Sequence, residues 1–112
     1  MAGDDGPGRP AWVSWVNEVD LLILEFLEQA DRASSKPPAV PVGVIYHNIV
    51  SIRGQSEKAR STFSRRCSHL ADLGFVEDAE VSETPHYRIT DAGRRYIRGE
   101  MSRDEVPRPD EE

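Results

Sequence analysis

The hydrophobic period of this chain changes at Gly74, and that change restricts the fold more than any other feature. Before it, apolar residues recur at helical spacing. After it they fall in short runs that alternate with polar residues, so helices must share one core with extended chain. Val19, Leu22, Ile23, Phe26, Leu27 and Ala30 form the stripe of an amphipathic helix predicted over 18–31. Asn17 is its N-cap, Asp20 places negative charge in the first turn, and Val16 can staple onto Leu21. Pro41 then opens a short helix over 41–50, with Val42, Ile45, Tyr46 and Ile49 on one face. Ser51 to Gln55 make a brief turn, Ser56 offers an N-cap, and a third helix is expected over 57–73, closed by Gly74.

Beyond Gly74, Phe75-Val76-Glu77-Asp78 and His86-Tyr87-Arg88-Ile89-Thr90 flank a polar connection and read as a hairpin. Thr90 caps a closing helix from Asp91 to about Glu100, with Ala92, Tyr96 and Ile97 inward and Arg94, Arg95 and Arg98 on a solvated face. The expected fold class is α+β: a winged helix-turn-helix of three helices, a two-stranded β-hairpin wing and a C-terminal helix. With 112 residues the chain has room for one such domain, placed at 12–102. Residues 1–11 and 103–112, rich in Gly, Pro and acid, are expected as disordered tails. Trp12 and Trp15 precede the first helix as covers for the core edge or, alternatively, as a dimer contact.

Several function classes are excluded by what the sequence lacks. A single cysteine rules out an internal disulfide and argues against a Cys-rich zinc module. Cys67 reads as a small core residue; it and His69 point about 200° apart on one helix, so no metal is expected. No Gly-rich phosphate loop or nucleophile motif is present, hence no enzyme and no cofactor. The N-terminus lacks the basic start and apolar run of a signal peptide, and no apolar stretch spans a bilayer, so a cytoplasmic protein without membrane contact is expected.

The net charge of −6 conceals a segregation: residues 34–74 carry six basic and two acidic side chains, while both flanking segments are acidic. The third predicted helix has an apolar back of Ala59, Phe63, Cys67 and Leu70. Its front carries Lys58, Ser61, Arg65 and Ser68, with Arg60, Thr62 and Ser64 on the flanks. A merely solvated helix would more often show Glu and Lys pairs four residues apart. A short helix, a turn and a second helix with a small-hydroxyl and arginine front are the parts of a helix-turn-helix, whose second helix enters the major groove of double-stranded DNA. The candidate contacts are Arg53, Gln55, Ser56, Lys58, Arg60, Ser61, Thr62, Ser64, Arg65 and Arg66, with Arg88 in the wing. Arg66 lies closer to the buried edge and reads also as a bridge to a carboxylate.

The runs STFSRRCSHLADLGFVE and PHYRITDAGRRYIRGE, with DLLILEFLEQAD near the start, resemble the small winged-helix repressors of haloarchaea related to the halophage phiH repressor, and more loosely MarR-type regulators. The resemblance covers about residues 15–102. It implies DNA-binding transcriptional regulation, with Ser61, Thr62, Ser64, Arg65 and Arg66 on the recognition helix. Twelve of the fourteen basic residues are arginine, and with the many carboxylates this composition fits a halophilic, archaeal source. A homodimer on a two-fold related site is expected, because one helix-turn-helix reads only a short half-site. The predicted wing departs from that picture. It carries Glu77, Asp78, Glu80 and Glu83 against Arg88 alone, which phosphate repels. The alternative is a winged helix that docks to the transcription machinery through its acidic faces.

Overall fold

The computed structural model describes residues 9–36 and 38–109. Its first helix, α1, spans Glu18–Arg32, one residue beyond the expected end. The Asn17 side chain accepts from the Asp20 N–H at 3.0 Å and the Asp20 carboxylate accepts from the Asn17 N–H at 2.9 Å, a reciprocal capping box. The buried face is rotated from the predicted stripe. Val19, Ile23, Leu24 and Leu27 are in the core, together with Asp20 and Glu28, while Leu22, Phe26 and Ala30 are only half-buried. Polar residues enter the face because arginines from other helices reach them.

A two-residue strand, β1 (Val40–Pro41), leads into α2 (Val42–Tyr46), so Pro41 stands at the N-cap rather than inside the first turn. The helix then widens into a π-helical segment, His47–Ile52, and ends two residues later than expected. The third helix, α3, spans Arg60–Asp72 and starts three residues later than its sequence suggests. Ser56 does not cap it: the Ser56 hydroxyl accepts from the Lys58 N–H at 3.1 Å, closing a local turn that competes with helix formation. Ala59 takes the N-cap position and is exposed, so the apolar back of α3 is Phe63, Cys67 and Leu70. Residues 53–59 are a loop pinned by Gln55 N–H to the Ile49 carbonyl at 2.9 Å.

Gly74, with φ 84°, turns the chain out of α3 into β2 (Val76–Asp78), which pairs antiparallel with β3 (His86–Ile89). The register sets Val76 against Ile89 and Asp78 against Tyr87. β1 adds to the other edge, Val40 opposite Tyr87, giving a three-stranded sheet of order β1-β3-β2. That third strand is invisible to a period-two reading, because two residues carry no alternation. Tyr87 and Ile89 face the core and Arg88 does not, as the hairpin reading required.

The closing helix, α4 (Asp91–Ile97), is shorter than expected, since Gly99 at φ 78° turns the chain away. The Thr90 hydroxyl accepts from the Gly93 N–H at 3.1 Å and donates to the Gly74 carbonyl at 2.6 Å, tying helix start to hairpin start. Gly93 is buried where a Cβ would lie 2.1 Å from the Phe75 carbonyl oxygen, so α4 sits directly on backbone. Phe75 stacks on Tyr96 at 4.8 Å, and Tyr46 meets Phe63 edge-on at 5.6 Å. Of the three arginines expected on a solvated face, Arg95 is exposed, whereas Arg94 and the C-cap Arg98 are half-buried against α1. Arg98 Nε lies 2.5 Å from buried Glu28, Arg94 pairs with Asp31 at 3.3 Å and with Asp91, and Arg95 approaches Glu105 at 3.7 Å.

The ends of the described chain also differ from expectation. In place of a tail, residues 103–109 carry a 3-10 turn, Arg103–Glu105, and Val106 is buried in the core. The Trp15 indole donates to the Pro107 carbonyl at 2.8 Å, and the Arg108 guanidinium lies 4.9 Å from the Trp15 ring. The Tyr96 hydroxyl donates to the Ala11 carbonyl at 2.7 Å. Trp15 thus covers the core edge, whereas Trp12 is 67% exposed. The tail expectations for residues 1–8 and 110–112 lie outside the described residues.

Burial pushes the Cys67 thiol and the Tyr96 phenol each up to about 12, from ordinary values of 9.0 and 10.0. A group whose pKa rises on folding contributes fully while both states are protonated and loses that contribution as pH climbs toward the folded value. Stability should hold through neutral pH and fall from the ordinary values of 9.0 and 10.0 toward about 12. Urea midpoints across that range check it: Cys67→Val and Tyr96→Phe should each flatten the decline, and a flat wild-type profile contradicts it.

Candidate functional site

The face of α3 turned from the core presents Ser61, Ser64, Arg65 and Ser68, all exposed, with Thr62 half-buried at its edge. They follow the spacing left over once Phe63, Cys67 and Leu70 are buried. Arg60 opens the helix, exposed at its first turn. Small hydroxyls on this face let a second surface approach the helix backbone closely, and Arg65 projects the one exposed cation among them.

The other candidates divide between loop and core. Gln55, Ser56 and Lys58 are not on the helix; they line an open cleft with Asn17, Glu18 and Val19 at the start of α1. Arg53 lies over the Phe26 ring of α1, 5.5 Å from its centroid. Arg66 belongs to the interior side. Its Nε and Nη2 donate to the two oxygens of Asp20 at 2.8 and 2.6 Å, a bidentate pair, and Nη2 also reaches the Trp15 carbonyl at 3.3 Å. The hydrogen bond to Asp20 raises the Arg66 pKa, against the opposing effect of desolvation. His69 Nε2 donates to the same Trp15 carbonyl at 2.7 Å. Arg66 therefore joins α3 to α1 rather than facing outward. Arg88 is likewise engaged, with Nε 2.6 Å from Glu77 across the wing strands.

These pairings partition the cations. Every arginine of the wing and of α4 (Arg88, Arg94, Arg95 and Arg98) is ion-paired, and so is Arg66. Arg53, Lys58, Arg60 and Arg65 have no carboxylate partner among the described residues, and between His47 and Ala71 the sequence offers only Glu57. Arg9, Lys36, Arg103 and Arg108 also have no carboxylate partner among the described residues, but four such cations follow closely in sequence only along the end of the second helix, the loop and α3. The wing tip is of the opposite sign, with Glu80 and Glu83 exposed and Asp78 accepting from the Glu80 N–H at 2.8 Å.

Sequence reasoning missed Asp20 as a partner, although it sits three residues before Ile23 and four before Leu24, on the buried face. It also missed Gly43, against which the Arg60 guanidinium lies. Cys67 is fully buried, and its raised pKa keeps it a thiol at neutral pH, as a core residue should be. Among the described residues no group of three His, Cys, Asp or Glu side chains could hold a metal ion, and no helix is long and apolar enough to cross a membrane.

Comparison with known proteins points the same way. A family described as the winged helix-turn-helix phage repressor matches residues 10–108. A curated relative, the "Repressor protein" of Halobacterium phage phiH, is 35% identical over 48 residues, which is 43% of this chain and 54% of that protein. The match thus spans about half the length of that relative. No solved structure matches the chain.

Arg66→Met leaves the Asp20 carboxylate, with none of its surface exposed, without its counter-ion. Urea unfolding should show a loss of about 3 kcal/mol. Arg65→Met, one residue away on the exposed face, should stay within about 0.5 kcal/mol of wild type. Equal losses at the two positions would contradict the division of α3 into a structural and a free face.

Proposed function

The chain belongs to the winged helix-turn-helix phage repressor family, and from that membership and the charge partition we propose that it is a sequence-specific DNA-binding transcriptional repressor. The reading gives α3 to the major groove of double-stranded DNA, with Ser61, Thr62, Ser64 and Arg65 as the residues that meet base edges or nearby phosphates. Arg53, Lys58 and Arg60 serve as phosphate contacts that set register without reading sequence, and Gln55 and Ser56 line the same loop. Arg66 and Arg88 are excluded from the contact set because their guanidinium groups already hold carboxylates. The protein acts as a homodimer, since a single recognition helix covers a half-site and a two-fold pair doubles it. No cofactor enters this scheme.

The observation that carries the proposal is that, among the described residues, Arg53, Lys58, Arg60 and Arg65 have no carboxylate partner while Arg88, Arg94, Arg95 and Arg98 are all paired. Leaving four cations uncompensated in one region of an acidic protein suits a polyanionic partner. The wing then stays off the phosphates or works where salt screens it, because Glu80 and Glu83 repel a duplex and the Debye length shrinks to about 3 Å at 1 M. That same acidic wing favours a second reading, an adaptor that binds a basic face of another protein.

Fluorescence anisotropy against a duplex library, from low salt to the molar range, separates the two. A repressor binds selectively, and Arg65→Ala should cost about 1–3 kcal/mol and relax the preference at one base position. Retained affinity with unchanged base preference removes Arg65 from the contact set. No binding at any salt favours the adaptor.

A further inference from the structure

Gly43 has no conformational reason to be glycine. It lies within α2, where glycine is a poor helix former. Gly54, Gly74 and Gly99 have positive φ, and Gly93 is required by the Phe75 carbonyl, so the other described glycines are accounted for by backbone or core. At Gly43 the space a side chain would take is filled by one group. A Cβ there would sit 3.0 Å from Arg60 Nη2, 3.4 Å from its Cζ and 3.8 Å from Nη1, the three closest heavy atoms.

We infer that Gly43 is a positioning residue for DNA contact: its missing side chain lets the Arg60 guanidinium lie across α2 and holds that charge at the junction of the two helices. The inference rests on the proposed DNA reading. Arg60 is exposed and has no carboxylate partner among the described residues, and its guanidinium lies against Gly43 of α2. A free arginine at the start of α3 sweeps a wide volume. One laid on α2 is pre-ordered, and less rotamer freedom is lost when a phosphate arrives. The guanidinium fork also suits a phosphate oxygen pair, which a mobile ammonium would not. Adding one methyl group at position 43 displaces the end of a flexible side chain rather than backbone, so the fold should accept it while Arg60 moves.

The opposite effects on fold and function provide the test. Thermal melts and duplex anisotropy at several salt concentrations are measured for wild type, Gly43→Ala, Arg60→Ala and the double variant. Gly43→Ala should melt at or above the wild-type temperature, because alanine is the better helix residue. Its affinity should nonetheless fall about threefold, short of the roughly tenfold loss expected of Arg60→Ala, because the guanidinium is displaced and not removed. In Arg60→Ala the slope of log affinity on log salt should become shallower by about 0.9, the signature of one phosphate. The double variant should bind no more weakly than Arg60→Ala alone. Additive losses, wild-type affinity in Gly43→Ala, or a lowered melting temperature would each overturn the inference while leaving the DNA reading intact. Failure of the wild-type protein to bind any duplex would overturn both.

Discussion

The carboxylate of Asp20 has no exposed surface and is met by three donors: the Asn17 N–H at the helix cap, and the Nε and Nη2 of Arg66 from α3. Two of these come from a residue 46 positions along the chain, so the start of α1 and the middle of α3 are fixed by one side chain. The Trp15 carbonyl, gripped by Arg66 and His69, extends the same junction to the segment before α1, and the Trp15 indole carries it on to Pro107. Such a pair contributes less to net stability than its geometry suggests, since two charges must leave water. Its value lies in specifying one rotation of α3. Any other rotation would take Arg66 away from the buried Asp20 carboxylate.

Charge is distributed by the same logic elsewhere. Glu28 is buried on α1 and receives Arg98 from α4 and Arg32 from its own helix. Asp31 receives Arg94. The acidic character of α1 is therefore partly internal bookkeeping between helices, while the loop and front of α3 are left positive. In an acidic protein a polyanion is repelled at long range and drawn in only at short range. High ionic strength suppresses the first effect more than the second, because contact pairs lie well inside the screening length.

What could be read in the sequence followed from period and punctuation. Asn17, Thr90 and Gly74 mark element ends by their own chemistry, and Tyr87, Arg88 and Ile89 alternate as a strand must. The failures share a cause: a partner distant in sequence decided the outcome. Asp20 reads as a first-turn charge, and its burial stays hidden because its guanidinium partner is on α3. Arg94 and Arg98 read as solvated because their partners Asp31 and Glu28 are on α1. The start of α3 was misplaced because Ser56 can cap a helix or close a turn, and local sequence does not choose. Arg66 was open to both roles at a helix edge, and Gly43 carried no meaning until Arg60 was seen lying on it.

Arg65 and Arg66 stand side by side with contrary duties, one outward with no carboxylate partner among the described residues, the other inward and chelating a carboxylate. The helix phase therefore insulates what the surface says from what the core needs. Substitutions at 61, 64, 65 and 68 can drift without disturbing the junction with α1, so a lineage carrying this fold can explore new targets through a run of viable intermediates. Position 66 has no such liberty. Divergence among related chains should accumulate along one stripe of the helix and stall a third of a turn away.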